Sequence, residues 1–466
     1  MAWLCALVAC LNAVCWSIVS PPFQVTDEPD HYAYVKQLAD TGTLPNPEEG
    51  SLATEEAEVL TALRHSYVRF APQHHTISST AEQRNFRAAI ASLTDSTGSS
   101  HAGVAASQPP LYYAIEAVPY LLVGGSPLDR LQAMRLFSSL FAGLTAFFAY
   151  LFLREAIRSS PWVWSIGGLA VAVTPSLGMM SGAVNPDAML FAVAAAAFYL
   201  LARGFRRGLD ARLAVALGTT IAIGFATKLN FVGLVPGLLL GVAVLGIRAA
   251  RVSGRSAYRT VLIAACIGLS PVLVATVVGA LSAPSGVLAT KVQGSLLDKV
   301  NYAWQLYLPR IPGMPNDFPG LFTARQIWFN GYVGLYGWLD TRFPTWVYNF
   351  ALLPAAAIAA LCVAAIVQAR QALRGRIGEL AVYAAMMLGL LILIAAACYS
   401  TFPRRAASFA EPRYLMPLLP LLGAIMALAA RGAGRRWGPA VGCLLVILFL
   451  GHDLFSQMLV VGRYYG

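Results

Sequence analysis

The chain has 466 residues, of which 58% are hydrophobic and only 12% carry a charged side chain. Soluble domains carry about a quarter charged residues, so this composition excludes the soluble classes. Nearly uncharged windows of about 17–23 residues recur along the chain, and a helix of that length crosses the core of a bilayer. The sequence therefore predicts an all-α polytopic membrane protein.

The net charge of +11 would suit a nucleic-acid-binding protein if the basic residues formed a single patch. Instead, the arginines cluster in short loops between apolar segments, which is the positive-inside pattern of a membrane protein. We therefore expect membrane lipids as neighbours of this chain and no nucleic-acid partner.

The first apolar segment, residues 1–19, predicts an uncleaved span, because it lacks a basic n-region and precedes a poor cleavage site. A polar loop at 20–130 follows, in which 27–40 and the short apolar run 109–125 are predicted to be juxtamembrane helices. Ten further spans are predicted at 131–153, 162–180, 186–201, 213–227, 230–247, 260–281, 345–367, 377–399, 414–430 and 437–459.

This assignment places the short arginine-rich loops on one side of the membrane, which the positive-inside rule identifies as the cytoplasm. The result is a single membrane domain of eleven spans with a cytoplasmic N-terminus and an outer C-terminus. Spans two to seven lie in 131–281, a second large extracytoplasmic loop in 282–344, and spans eight to eleven in 345–466. Polar groups from distant loops then meet at the extracytoplasmic face, so we expect any chemistry there.

A dense polar cluster opens the first outer loop, where Asp27, Glu28 and His31 lie within five residues directly after the first span. Titratable groups are costly at a membrane edge, so the cluster is a functional-site hypothesis. Asp27 and Glu28 are candidate general bases. His31 is four residues from Asp27 on one helical face, so it is a candidate to orient that carboxylate or to share a metal ion. The alternative is a capped helix start with solvated acids.

Three cations near the outer ends of predicted spans are candidates to hold a phosphate: Arg135, Lys228 and Arg413. Arginine suits bidentate contact with a phosphate, whereas lysine acts as a point charge. The alternative for each of the three is snorkelling to the interface or a local ion pair.

The remaining candidates for substrate binding lie in other outer loops. Asn185 and Asp187 flank a proline at the start of the fourth span, where they cap the helix or bind sugar hydroxyls or a metal. Trp338 and Asp340 belong to an aromatic-rich loop whose rings suit sugar stacking, although an aromatic interface belt also explains them. Tyr414 follows Arg413 at the head of the tenth span.

An ordered set of motifs runs through nearly the whole chain. The motifs are Pro21-Pro22-Phe23-Gln24, Asp27-Glu28-Pro29 with His31, Pro109-Pro110-Leu111-Tyr112-Tyr113, Asn185-Pro186-Asp187, Gly337-Trp338-Leu339-Asp340-Thr341 and Arg413-Tyr414-Leu415-Met416-Pro417. This set resembles the domain-of-unknown-function 2142 family of bacterial membrane proteins. That family in turn resembles the GT-C glycosyltransferases, which include protein O-mannosyltransferases and aminoarabinose transferases.

The resemblance implies a GT-C-like fold with a large first extracytoplasmic loop, and it places Asp27 at the catalytic-base position with Glu28 as its neighbour. It also implies that Asp187 is the second acid and that Arg135 is a donor-phosphate arginine. The implied reaction is inverting transfer of a sugar from a polyprenyl-phosphate donor to an extracytoplasmic glycan, lipid or protein in the bacterial cytoplasmic membrane. No cofactor is assigned, and the need for a divalent metal stays open.

Two other functions are alternatives to this one. A flippase or transporter of lipid-linked sugars predicts charges along a path through the bilayer and often inverted repeats, whereas here the charges gather at one face. A non-catalytic GT-C-like subunit would keep the fold without the activity. One departure from the family pattern, Glu411-Pro412 directly before Arg413, weakens the phosphate assignment of that arginine.

Overall fold

The structure is a computed structural model that describes residues 1–46, 54–91, 102–158, 160–253, 259–270, 294–318, 324–401 and 410–466. These ranges are mostly helical, with one two-stranded hairpin among them. In chain order the helices are α1 (Ala2–Val19), α2 (Glu28–Thr41), α3 (Thr54–Ala62), α4 (His65–Val68), α5 (Thr80–Ala91), α6 (Leu111–Leu122), α7 (Pro127–Ala156), α8 (Pro161–Ala172), α9 (Pro175–Ser181), α10 (Asp187–Arg207), α11 (Ala211–Thr227), α12 (Val235–Ser253), α13 (Arg259–Ser270), α14 (Leu296–Tyr307), α15 (Gly331–Gly334), α16 (Thr345–Gln368), α17 (Arg370–Arg374), α18 (Ile377–Thr401), α19 (Leu419–Gly432) and α20 (Gly434–Tyr465).

The prediction of an all-α polytopic membrane protein is confirmed by the length and composition of these helices. Within the described ranges, eight are long and apolar enough to cross a membrane: α1, α7, α10, Leu229–Arg251 with α12, α16, α18, Pro412–Gly432 with α19, and α20. The pair α8 and α9 counts as a ninth if it forms one span with a 54° bend. Pro175 starts α9 at this bend, where a proline cannot donate the backbone hydrogen bond of a continuous helix.

Two of the eleven predicted spans correspond to shorter helices. Helix α11 has 17 residues, and α13 ends at Ser270, beyond which the predicted span 260–281 continues outside the described residues. The count of eleven therefore stays a prediction, whereas the helical nature of the described part of each segment agrees with the apolar pattern.

The polar segment after α1 contains the juxtamembrane helices that the sequence predicts. Helix α2 begins after Asp27, where Pro29 fits the first turn, and it ends at Gly42 with a φ of 69°. Helix α6 has 12 residues, about 18 Å of helix, and is therefore too short to cross a hydrocarbon core of about 30 Å. The two helices pack together, and the rings of Tyr34 and Tyr113 stack with centroids 3.6 Å apart.

Helix α7 is the centre of the bundle and packs along α1, α8 and α10. Small residues allow this close approach, because a Cβ atom added at Gly143 would lie 3.1 Å from the carbonyl oxygen of Ala6. A capping box between Ser126 and Asp129 fixes its first turn. The contact between α1 and α7 positions the loop that follows α1, where the acidic cluster lies.

Acidic residues and arginines occupy opposite ends of α10. Asp187 begins this helix, whereas Arg206 and Arg207 end it, so about 30 Å of helix separates them. Both arginines pair with the buried Glu155 near the end of α7, and Arg376 donates to the carbonyl of Ala156 beside it. Arginines that are far apart in sequence thus meet at one end of the bundle.

A short hairpin forms the glycine-spaced segment after α15. Strand β1 (Leu335–Tyr336) pairs antiparallel with β2 (Thr341–Arg342), and the hydroxyl of Tyr336 lies 2.7 Å from that of Ser456 in α20. His452 of the same helix lies 2.6 Å from the carbonyl oxygen of Val333. The hairpin is therefore held against α20.

Candidate functional site

Asp27 lies in a strained turn between α1 and α2. Its φ of 65° is left-handed, which costs a residue with a Cβ atom about 1–2 kcal/mol. The neighbouring Thr26 donates its hydroxyl to the carbonyl of Gly337 at 2.6 Å, and the Asn185 amide donates to the Thr26 carbonyl at 3.4 Å. The turn is thus fixed to the hairpin and to the start of α10, and strain held in this way is typical of functional sites.

The carboxylate of Asp27 pairs with Arg413, with 2.6 Å between Oδ2 and Nη2. The Asp27 side chain is 25% exposed, whereas Arg413 is 8% exposed, so the acid remains open to solvent while its partner is buried. Burial acts to raise the pKa of Asp27, but the positive charges of Arg413 and Lys228 and the hydrogen bond from Arg413 bring that pKa below its ordinary value. Asp27 is therefore ionised at neutral pH.

Arg413 is held between two acids. Its Nε atom lies 2.8 Å from Oε2 of Glu411, and its Nη2 donates to the hydroxyl of Tyr414 at 3.5 Å. Its Nη1 atom is buried without a hydrogen-bond partner among the described residues. Arg413 thus retains one donor group for a further acceptor.

Glu411 is a site residue that the sequence presented only as a departure from the family pattern. Burial raises its pKa to about 7, against the opposing charge of Arg413 and with a further rise from Asp27 and Asp187. The cluster of Arg413, Lys228, Asp27 and Asp187 carries two charges of each sign, so its net charge depends on the protonation of Glu411. The feature of the sequence that could have identified Glu411 as a site residue is its position two residues before Arg413.

Lys228 and Asp187 form a second buried ion pair, with 2.7 Å between Nζ and Oδ1. The Oδ1 atom of Asn185 accepts the backbone N–H of Asp187, the first residue of α10, at 3.0 Å. Asn185 thus contacts the start of the helix, while Asp187 provides the carboxylate that faces Lys228. Oδ2 of Asp187 has no hydrogen-bond partner in the part of the chain that the structure describes.

Arg135 and Glu28 form a further buried ion pair. Arg135 directs Nε and one N–H of Nη2 to the two carboxylate oxygens at 2.7 and 2.5 Å. Its other three N–H groups donate to the carbonyls of Ser17, Ser20 and Pro21. All five donors of the guanidinium are thereby used. This geometry favours a structural role for Arg135 and leaves it no donor for a substrate phosphate.

His31 is buried and bonded away from the acids. Its Nδ1 lies 2.9 Å from the hydroxyl of Tyr113 in α6. Burial, reinforced by the charge of Lys228, lowers the pKa of His31 to about 3, so its ring is neutral at physiological pH. The predicted orienting contact with Asp27 is replaced by this bond to Tyr113.

Trp338 and Asp340 are held by contacts within the protein. The Trp338 indole donates to the carbonyl of Phe23 at 3.1 Å, and the Arg69 guanidinium covers its ring at 3.7 Å from the centroid. Asp340 pairs with Arg463 at 2.9 Å. The bond from Trp338 to Phe23 supports the loop before Asp27, and the Arg69 guanidinium covers the Trp338 ring that was predicted to stack on a sugar.

The sequence leaves open whether these acids hold a divalent metal ion. Among the described residues, no three histidine, cysteine, aspartate or glutamate side chains converge closely enough to hold a metal ion. Asp27, Asp187 and Glu411 instead each face a cation.

The chain matches a protein-family model. The model described as "Predicted membrane protein (DUF2142)" matches residues 10–422, which is most of the chain. The chain belongs to the DUF2142 family. No curated protein and no solved structure matches it.

The DUF2142 match contains the whole charged cluster. Asp27, Asp187, Lys228 and Arg413 all lie within residues 10–422, whereas Arg463 lies beyond the matched range. The family description identifies a membrane protein and assigns no activity.

Proposed function

We propose that this DUF2142 protein is an inverting GT-C-type glycosyltransferase that moves a sugar from a polyprenyl-phosphate carrier to an extracytoplasmic acceptor. The observation that carries the proposal is the partly exposed Asp27 carboxylate, held in a strained turn against a buried arginine at the edge of the apolar helices. A base, a cation and a membrane edge are what transfer from a lipid phosphate requires.

The chemistry assigns Asp27 the role of general base. The acceptor hydroxyl oxygen attacks the anomeric carbon and forms the new glycosidic bond, while its proton passes to the Asp27 carboxylate. The bond between the anomeric carbon and the phosphate oxygen breaks, and its electron pair leaves with the polyprenyl phosphate. General-base assistance of this kind is worth about 10²–10⁴-fold in rate.

Arg413 and Lys228 are the proposed phosphate cations. Arg413 has an Nη1 donor without a partner among the described residues, and Lys228 places its ammonium group 2.7 Å from Asp187 Oδ1. Arg135 is not one of the proposed phosphate-binding residues, because all five of its N–H donors are occupied. The donor phosphate would compete with Asp27 for Arg413, so its arrival would release the base beside the reacting carbon.

Lys228 and Arg413 also lie at the ends of apolar segments, which is the depth at which we expect the phosphate of a membrane lipid. Lys228 separates α11 from the apolar run Leu229–Arg251, and Arg413 lies in the first turn of the run Pro412–Gly432. Leu229 and Val232 directly after Lys228 are each 41% exposed, which is expected of side chains that face lipid. A prenyl chain can therefore approach Lys228 from the bilayer.

The proposed side of the membrane is supported by the arginines. If the arginine end of the bundle is cytoplasmic, the Asp27 end is extracytoplasmic, here in a bacterial inner membrane. Nucleotide-linked sugars are absent from that side, so a lipid-linked sugar is the donor that fits. The acceptor would be a glycan, lipid or protein of the cell envelope.

The test measures release of undecaprenyl phosphate from a panel of undecaprenyl-phosphate sugars by the purified protein in vesicles that supply envelope lipids. Asp27→Asn should lower release by a factor of about 100 or more. The matched control is Asp298→Asn, an exposed helix-capping acid in α14, which should turn over normally.

Two outcomes would contradict the proposal. Near-normal turnover by Asp27→Asn would remove Asp27 as the base. Movement of intact lipid-linked sugar across the vesicle membrane without release of undecaprenyl phosphate would identify a transporter instead.

A further inference from the structure

A cavity of about 260 Å³ lies beside the charged cluster, between the hairpin and the segment that precedes it. Ala410 lines this cavity, and the next residue, Glu411, pairs with Arg413. Gly331 lines it as well and packs against Pro412, since a Cβ atom at Gly331 would lie 2.6 Å from Pro412 Cγ. The cavity therefore adjoins the backbone that carries Arg413.

Three irregular features meet at this cavity. Residues Arg325–Asn330 form a π-helix, a rare element that is frequent at functional sites. Leu339 has a φ of 63°, a conformation that a leucine rarely adopts. Oδ1 of Asn330 is buried and has no hydrogen-bond partner among the described residues, which requires an explanation in a native structure.

The lining combines hydrogen-bonding groups with ring edges. Gln326 and Asn330 contribute amides, Arg342 a guanidinium, and Phe343 and Tyr348 aromatic rings. Amides both donate and accept, so they match hydroxyl groups, which do the same. An apolar ligand would leave Oδ1 of Asn330 without a partner, at a cost that a hydroxyl donor removes.

The size and rigidity of the cavity restrict the ligand. Its volume is below the range of about 300–1,000 Å³ that is usual for drug-sized ligands, so it suits roughly one ring. Tyr348 is fixed by two bonds, because its hydroxyl donates to the Gly334 carbonyl at 2.8 Å and accepts the Phe343 N–H at 3.0 Å. Because this wall of the cavity is fixed, only a ligand whose shape fits the cavity can bind.

We infer that this cavity is a subsite for one pyranose ring of a substrate, with Asn330 accepting a hydrogen bond from a ring hydroxyl. The inference rests on the proposed function, because it assigns the ring to a sugar that reaches the Asp27–Arg413 site. The ring belongs either to the lipid-linked donor or to the acceptor, and the two sources share the same hydroxyl chemistry.

The test measures saturation-transfer NMR signals of methyl α-glucoside, methyl α-mannoside and methyl α-galactoside with the full chain in nanodiscs. At least one glycoside should bind the wild-type protein, and Asn330→Leu should weaken that binding tenfold or more. Asn316→Leu is the control, since Asn316 is exposed in the same loop. Gln326→Ala truncates an exposed lining side chain and should also weaken binding if Asn330→Leu fails to fold.

A second pair of probes separates the two sources of the ring. If the donor sugar occupies the cavity, Asn330→Leu weakens binding of undecaprenyl-phosphate glucose relative to undecaprenyl phosphate. If the acceptor sugar occupies it, both lipids bind Asn330→Leu as they bind the wild type, and only glycoside binding is lost.

Failure of the subsite and failure of the transferase are distinguishable, because glycoside binding requires no turnover and should survive Asp27→Asn. Absence of glycoside binding to the wild type, or unchanged binding to folded Asn330→Leu and Gln326→Ala, would overturn the subsite. Glycoside binding without any release of undecaprenyl phosphate would leave the subsite standing and reject the transferase.

Discussion

Arg135 and Glu28 form a fully satisfied buried ion pair between α7 and the first turn of α2. The two side chains are 2% and 0% exposed, and the closest nitrogen and oxygen are 2.5 Å apart. Glu28 also accepts the backbone N–H groups of Phe23 and Val184 at 3.0 and 3.1 Å. One carboxylate thus connects α7, the turn before Asp27 and the segment that leads to Asp187.

Breaking this pair should unfold the site rather than only slow it. Arg135→Met leaves the Glu28 charge buried and unpaired, which should lower the free energy of unfolding by about 3–5 kcal/mol. Glu28→Gln leaves Arg135 unpaired and should lower the free energy of unfolding by a similar amount. We expect a lower thermal midpoint for either variant in detergent, with partial recovery in the double variant. If Arg135→Met is as stable as the wild type and loses only its affinity for undecaprenyl phosphate, Arg135 binds the donor phosphate and its structural role is contradicted.

Lys228 should contribute to donor affinity. Lys228→Met removes a charge-assisted contact worth about 1.5–3 kcal/mol, so the Kd for undecaprenyl-phosphate glucose should rise about 10- to 100-fold. Lys299→Met, in α14 and outside the charged cluster, is the control and should bind normally. Equal affinity of Lys228→Met and wild type would show that Lys228 only neutralises Asp187.

Donor binding should weaken as the pH rises through about 7, the raised pKa of Glu411. Below that pH the buried acid is neutral and the cluster accommodates an added anion, whereas above it Glu411 repels the anion and competes for Arg413. The other charges that act on Glu411 are Asp27, Asp187 and Lys228. The phosphodiester of undecaprenyl-phosphate glucose keeps a single charge across this range, so the protein is the titrating partner.

The control for this pH dependence is Glu411→Gln, which keeps the shape of the side chain and removes its proton equilibrium. Its affinity should stay at the acidic level of the wild type from pH 6 to 8. A wild-type affinity that is flat over that range, or a Glu411→Gln protein with the same slope, would contradict the assignment.

Topology reporters test the side on which the site lies. Ser160 begins α8 near the arginine end, and Ser181 ends α9 close to Val184, which contacts Glu28. A reporter fused after Ser160 should be cytoplasmic, and one fused after Ser181 should be extracytoplasmic. A cytoplasmic signal from the Ser181 fusion would place the charged cluster inside the cell and remove the argument for a lipid-linked donor.

The sequence by itself determined the membrane class and the position of most helices. Apolar length, proline and glycine act over a few residues, so the starts of α1, α2, α10 and α16 follow from local pattern. The positive-inside pattern also predicted that Asp27, Asp187, Lys228 and Arg413 share one end of the bundle, and the structure brings them together there.

Only the tertiary structure decided which acid faces which cation. Arg413 and Asp27 are 386 residues apart, and Arg135 and Glu28 are 107 apart, so no local spacing records either pair. The same packing decides that Asp340 pairs with Arg463 and that His31 contacts Tyr113. A buried charge needs a partner of opposite charge or a hydrogen-bonding group. Which residue becomes that partner depends on how the helices pack, and the spacing of residues along the chain does not reveal it.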